Sequence, residues 1–209
     1  MTIMTATKNF KSLKVCLANG LAPHGFSVEG DILFRTVRDT MLVLEVQKDR
    51  KYSTKEEIRF TINVGLSIDV LRSSDSINGS SSVPSPEKCH WRERLGRLLP
   101  AESDVWWSIR DEQSALAVCE EIVSGLVRVA LPKVDAVASS ESLATLWKEG
   151  RGRGLTEYER RINLAKLLSA LKRTEEAKVA IQELENASLG KSWEVSARYD
   201  VKELRAPVH

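Results

Sequence analysis

The sequence predicts an α+β fold: an antiparallel sheet of about five strands, packed by an N-terminal and a central helix and followed by a C-terminal helical extension. Three observations carry that prediction. Ile58, Phe60, Ile62, Val64, Leu66 and Ile68 alternate with Arg59, Thr61, Asn63, Gly65, Ser67 and Asp69, the period of a strand with one apolar and one polar face. Phe10, Leu13, Leu17 and Leu21 recur at spacings of three and four with lysines between them, the period of an amphipathic helix. From Asp111 onward the period is helical for the rest of the chain. On this reading residues 1–132 form an α+β domain and residues 133–209 a helical extension built on a helical hairpin.

Taken in order, the first helix spans about Thr7 to Leu21 and is stopped by Gly20 and Pro23. Phe26 to Val28, the turn signal Glu29-Gly30-Asp31 and Ile32 to Arg38 predict a hairpin. Met41 to Lys48 predicts a third strand and the alternating run a fourth. Residues 72–88, with Ser73-Ser74-Asp75, Asn78-Gly79 and Ser80 to Ser82, predict a long irregular loop able to close over the sheet. Trp91 to Leu99 and Val105 to Ile109 predict two more strands, joined by a turn at Pro100 to Ser103. The central helix carries Leu116, Cys119, Ile122, Val123, Leu126, Val127 and Ala130 as its apolar stripe, starts near acidic Asp111 and Glu112, and ends at Pro132. A short helix over Ser140 to Lys148 precedes a flexible linker, Gly150 to Gly154. Thr156-Glu157-Tyr158-Glu159 reads as a capping box for a helix to about Leu171. Ala177, Ile181 and Leu184 mark a second helix ending near Gly190. This pair resembles one tetratricopeptide-like hairpin without the neighbours that such repeats need.

Composition narrows the class further. Among 209 residues, 42% are hydrophobic and 29% charged, enough to build a core and unlike a disordered chain. Thirty-one Lys and Arg stand against 29 Asp and Glu, a formal net charge of +2, so bulk electrostatics recommend neither nucleic acid nor an anionic membrane as partner. Cys16, Cys89 and Cys119 are odd in number, far apart and without C-x-x-C spacing, so three free thiols and a cytoplasmic setting are expected, with no metal and no cofactor. Lysines at 8, 11 and 14 interrupt any apolar core of a secretory signal, and no run approaches the roughly 18 apolar residues of a membrane span.

Catalytic signatures fail on inspection. Gly190-Lys191-Ser192 has the tail of a phosphate loop, but Glu185 occupies the first glycine's place. Gly150-Arg151-Gly152-Arg153-Gly154 lacks the third glycine of the dinucleotide fingerprint and follows no strand. Cys89 and His90 are adjacent, so they point to opposite faces and supply too few ligands for zinc. The candidate site comes instead from sheet parity. With Phe34, Leu44, Phe60, Ile62 and Trp91 placed toward the helices, Arg35, Glu45, Gln47, Asn63, Arg92 and Arg94 share the other face. Arginine forks suit carboxylate or phosphate, and amides offer donor and acceptor together. Of the adjacent indoles of Trp106 and Trp107, one anchors the core and the other joins the polar face, an assignment given to Trp107. The candidate ligand-binding residues are therefore Arg35, Gln47, Asn63, Arg92, Arg94 and Trp107.

The same stretch carries a family resemblance. A leading helix, Gly25-Phe26, Phe34-Arg35, Gln47, Phe60 to Gly65 as F-T-I-N-V-G, Trp91-Arg92 with Arg94 and Gly96, and Asp104 with Trp106-Trp107 resemble the bacterial family called domain of unknown function 4304, over roughly residues 8–130. The resemblance implies a small α+β domain in a cytoplasmic protein and brings no activity, ligand or catalytic residue with it. The expected function is a non-enzymatic binding or interaction module whose polar sheet face engages an unknown protein or a small anionic ligand. The alternative is an enzyme with an unrecognised active site acting on a phosphorylated or nucleic-acid substrate through the same arginines.

Overall fold

A computed structural model describes residues 6–75 and 83–206 of the chain. Asn78-Gly79, Ser80 to Ser82 and the terminal His209 lie outside the described residues. Helix α1 (Ala6–Leu21) buries Leu13, Leu17 and Leu21 as their spacing requires. Strands β1 (Ser27–Glu29) and β2 (Ile32–Val37) form the expected hairpin, followed by β3 (Thr40–Lys48) and the long β4 (Ile58–Ile68). The sheet is antiparallel in the order β1-β2-β3-β4-β5. The fold is α+β, with an open antiparallel sheet and helices to the C-terminus.

Beyond β4 the expectations need correction. The chain turns directly into α2 (Asp69–Asp75), so the predicted loop begins with a helix. At its far end Val83 and Pro86 are buried and Cys89 follows them under the sheet. The next strand is short: β5 (Trp91–Arg94) gives way to a single helical turn, α3 (Leu95–Leu98), and the last strand, β6, is Trp107–Ile109. These two are not a hairpin. Both pair with β4 along one edge, β5 against Asn63 to Leu66 and β6 against Ile58 to Phe60. The eleven residues of β4 are long enough to hold two short partners end to end.

Pro132 does not end the central helix. Helix α4 (Glu112–Gly125) starts on an Asp111–Ser114 capping box, widens to π-helical geometry over Leu126–Ala130 and continues as α5 (Leu131–Val137). Proline lacks an N–H and its ring crowds the carbonyl four residues earlier, and the wider turn just before Pro132 lets the helix pass it. Helices α6 (Ser140–Lys148), α7 (Glu157–Ala170) and α8 (Thr174–Ser188) match expectation, and the Thr156–Glu159 capping box is formed in both directions. A further helix, α9 (Glu194–Arg205), packs on α7 and α8 through Ala197 and Val201. One buried cluster runs from Ala6 in α1 to Val201 in α9.

Cys16 and Cys119 form a disulfide between α1 and α4, with Cα atoms 6.4 Å apart. Cys89 alone keeps a thiol. The expectation of three free thiols is thus corrected: residues 103 apart in sequence meet because two helices pack side by side, which spacing cannot announce.

Candidate functional site

Register decides which side chains share a face, since residues directly opposite in a sheet point the same way. One row crosses β2 to β5 as Ile32, Glu45, Asn63 and Arg94, and the next as Phe34, Val43, Gly65 and Arg92. Gln47 lies beside Thr61 on the same face. Gln47, Asn63, Arg92 and Arg94 are therefore brought together as predicted. Arg35 is not: it stands in the row Arg35, Leu42, Leu66 and Trp91, on the helix-covered face. There its guanidinium binds Asp135 at 2.5 Å, donates to the His24 carbonyl and lies over the Phe26 ring. Phe34 is correspondingly misassigned, because Leu33 is the core residue and Phe34 points away from the helices. Both phases of Ile32–Val37 contain apolar residues, so alternation alone left the phase of β2 open.

Trp107 is also corrected. It pairs with Phe60 on the core face, is buried, stacks on the Phe60 ring at 6.1 Å and donates from Nε1 to Glu121. Trp106 takes the surface role. Its ring carries Arg59 at 5.1 Å and Arg94 at 4.9 Å, and its Nε1 donates to Asp104. The signal that separates the two indoles is Ile109, fully buried two residues after Trp107 and hence on the same face.

The polar face is less open than predicted. Val43, Val83 and Cys89 form a small second core there, with Ile32, Phe34 and Met41 against it. Gly65 makes this possible: a Cβ at that position would stand 2.6 Å from Cys89 Sγ and 3.1 Å from Pro86 Cα, so only glycine lets the 83–89 segment lie on the strand. Burial in this cluster pushes the Cys89 thiol up to about 12, which makes it inert at neutral pH. His90 is buried and accepts the Ile68 N–H at Nδ1, so its ring is tied to the backbone at the end of β4.

What remains uncovered is a cleft of about 320 Å³ bounded by Gln47, Asn63, Pro86, Glu87, Arg92, Glu93, Arg94 and Gly154, in which the Glu93 carboxylate is ion-paired with Arg97 and Arg153. Arg92 is consumed by structure. Its Nε and Nη1 donate to the carbonyls of Gly154 and Glu87, and its Nη2 is shared between the two Glu159 carboxylate oxygens at 2.9 and 3.1 Å. Burial raises the Glu159 carboxyl, but the N–H and hydroxyl of Thr156 together with Arg92 outweigh this and hold it below its ordinary value. The capping glutamate of α7 thus ties the C-terminal helices to the sheet. The linker shares in this: the Arg92 N–H donates to the Arg153 carbonyl, and Gly154, at φ +70°, sits where a Cβ would strike the Arg92 backbone. It is docked, not the flexible connection expected.

Arg94 has the opposite character. Its Nη1 donates to Asp104 at 2.5 Å and its plane rests on Trp106, which leaves Nε and Nη2 without a partner among the described residues. Beside it the Asn63 amide donates to Gln47 Oε1 at 2.9 Å, leaving the Asn63 carbonyl oxygen and the Gln47 amide N–H groups for a ligand. The Arg94 hydrogen bond leads the interactions that hold the Asp104 carboxyl below its ordinary range, so Asp104 acts as a fixed anion that orients Arg94 and not as a proton donor. In the sequence Asp104 stands out only through the family pattern, and Trp106 only there and as the neighbour of Trp107; their spacing of two residues and their joint contact with Arg94 give them a role.

A family model described as Domain of unknown function (DUF4304) matches residues 17–136. No curated protein and no solved structure matches the chain. Among the described residues, no helix is long and apolar enough to cross a membrane.

Proposed function

For a chain that belongs to the family described as Domain of unknown function (DUF4304), we propose a non-enzymatic binding module whose cleft at Arg94, Asn63 and Gln47 takes a carboxylate, carried by a small organic acid or by a partner's acidic side chain. The observation that carries this is the half-used fork of Arg94, held by Asp104 on one side and Trp106 on its face. A guanidinium fixed in this way meets a carboxylate with little ordering cost. The neighbouring amide pair adds one acceptor and further donors, suited to a carboxylate next to an N–H group. A volume of about 320 Å³ fits one side chain or a small acid and falls at the lower end of ligand pockets.

A binding role is favoured over acid–base catalysis by Asp104, the carboxylate hydrogen-bonded to Arg94, whose proton affinity moves away from neutrality. The redox argument for a cytoplasmic setting loses its support, because Cys16 and Cys119 are bonded and such bridges persist mainly in oxidising compartments. The binding reading holds in either compartment. The test is calorimetric titration with N-acetylglutamate against its neutral counterpart N-acetylglutamine. Saturable binding of the acid, at least about tenfold tighter than the amide and lost in Arg94→Gln, is expected from a charge-assisted fork. Equal affinities, or binding that survives Arg94→Gln, would refute the site.

A further inference from the structure

On the side of the molecule away from the cleft, α1 and α4 run parallel: Asn9 donates to the Arg110 carbonyl, Cys16 is bonded to Cys119, and Gly20 abuts Val123. Their outer surfaces leave a groove of about 1100 Å³. Its floor is apolar, made by Val15, Cys16, Leu116, Val123 and Val127, with Val15 60% and Leu116 52% exposed. The disulfide fixes the separation of the two walls.

The charges along this groove are uneven. Lys8 and Lys11 stand at its beginning and Arg128 at its end, and none of the three has an ion-pair partner among the described residues, although most arginines of this chain are paired. Glu120, midway along, is the single carboxylate of the lining. An apolar trough about 24 Å long, from the sixteen residues of α1 at 1.5 Å each, with unpaired cations at both ends, describes its occupant by complementarity. We propose that the α1–α4 groove docks an amphipathic helix of about four turns from a partner protein, with a stripe of apolar residues one face wide and acidic residues at both ends.

Two other occupants fit less well. A two-fold pairing with a second copy sets cation against cation whichever way the copies run, at a cost in repulsion. An anionic bilayer would meet the cations but presents no ridge to fill a trough between two helices.

The experiment uses the full oxidised chain and two fluorescein-labelled 18-residue peptides with the same leucine stripe. One peptide ends in glutamates and the other in lysines. Anisotropy should show the acidic peptide binding saturably and at least about tenfold tighter than the basic one. Combined Lys8→Glu, Lys11→Glu and Arg128→Glu should reverse that order. Leu116→Glu, a change at an exposed position, should abolish binding while the thermal melt stays in place. Absent binding, affinities within about twofold of each other, or a preference that survives the charge reversal would overturn the proposal. So would a dimer in sedimentation that Leu116→Glu dissolves, or retention of the chain on phosphatidylserine-containing vesicles with no peptide selectivity.

Discussion

Reduction of the Cys16–Cys119 bridge should weaken the fold by an amount that loop length sets. The bridge closes 103 residues, and the chain-entropy relation for a loop of that size gives about 4.7 kcal/mol at 25 °C as the constraint lifted from the unfolded chain. Leu13, Leu17 and Ile122 are buried in the same apolar core independently of the two sulfurs, so the packing of α1 on α4 should outlast reduction and the reduced protein should still fold. With a urea slope of about 2 kcal/mol/M, the midpoint should fall by about 2 M on adding dithiothreitol, and Cys16→Ser with Cys119→Ser should behave like the reduced protein. The thiol count checks the premise. Of three cysteines, one should react with a thiol reagent after unfolding without reductant, and none in the native state, where burial holds Cys89 at about 12. Three reactive thiols, or a midpoint indifferent to reductant, would refute the reasoning.

Three further outcomes follow from the same geometry. Trp107→Ala should cost about 3–5 kcal/mol, as for a large buried aromatic, whereas Trp106→Ala should cost less than about 1.5 kcal/mol yet weaken binding of N-acetylglutamate; urea melts and calorimetry on both variants separate the roles, and equal destabilisation would contradict them. Gly154→Ala places a side chain at φ +70° against the Arg92 backbone, which should destabilise by about 1–3 kcal/mol and raise hydrogen exchange in Arg92 and Leu155 to Arg160; unchanged exchange would show that the linker is not docked. The Glu176 carboxyl is pulled to about 2 by Arg173 and Lys148. Its folded value lies below the ordinary 4.5, so the ion pairs contribute fully above pH 4.5 and are lost as pH falls from about 4.5 to about 2. Carbon-detected NMR titration should place the Glu176 midpoint near that lower value and Arg173→Ala should raise it; a midpoint near 4.5 in the unaltered chain would contradict the assignment.

Much of the fold was legible because local chemistry and burial agree in it. The alternation of Ile58 to Ile68 named its own strand, and Thr156 with Glu159 named the start of α7. The rest failed for identifiable reasons. Both phases of Ile32 to Val37 contain apolar residues, so parity counted from Phe34 puts Arg35 on the wrong face, a slip of one residue. Pro132 reads as a helix end in every local rule, and the π-turn that admits it leaves no sequence mark. Helix α9 is too polar to declare itself, with Ala197 and Val201 as its buried residues. The candidate site was half legible: Gln47, Asn63 and Arg94 converge by parity alone, while the commitment of Arg92 to Glu159 and Gly154 depends on helices about 60 residues further along the chain.

The most direct test of the binding account is side-chain NMR during titration with N-acetylglutamate. The account predicts saturable shifts in the Arg94 Nε–H, the Asn63 and Gln47 amides and the Trp106 indole N–H, with the Arg35 Nε–H and the Trp107 indole unmoved. Shifts at Arg35 and Trp107 in place of Arg94 and Trp106, or shifts that never saturate, would contradict it.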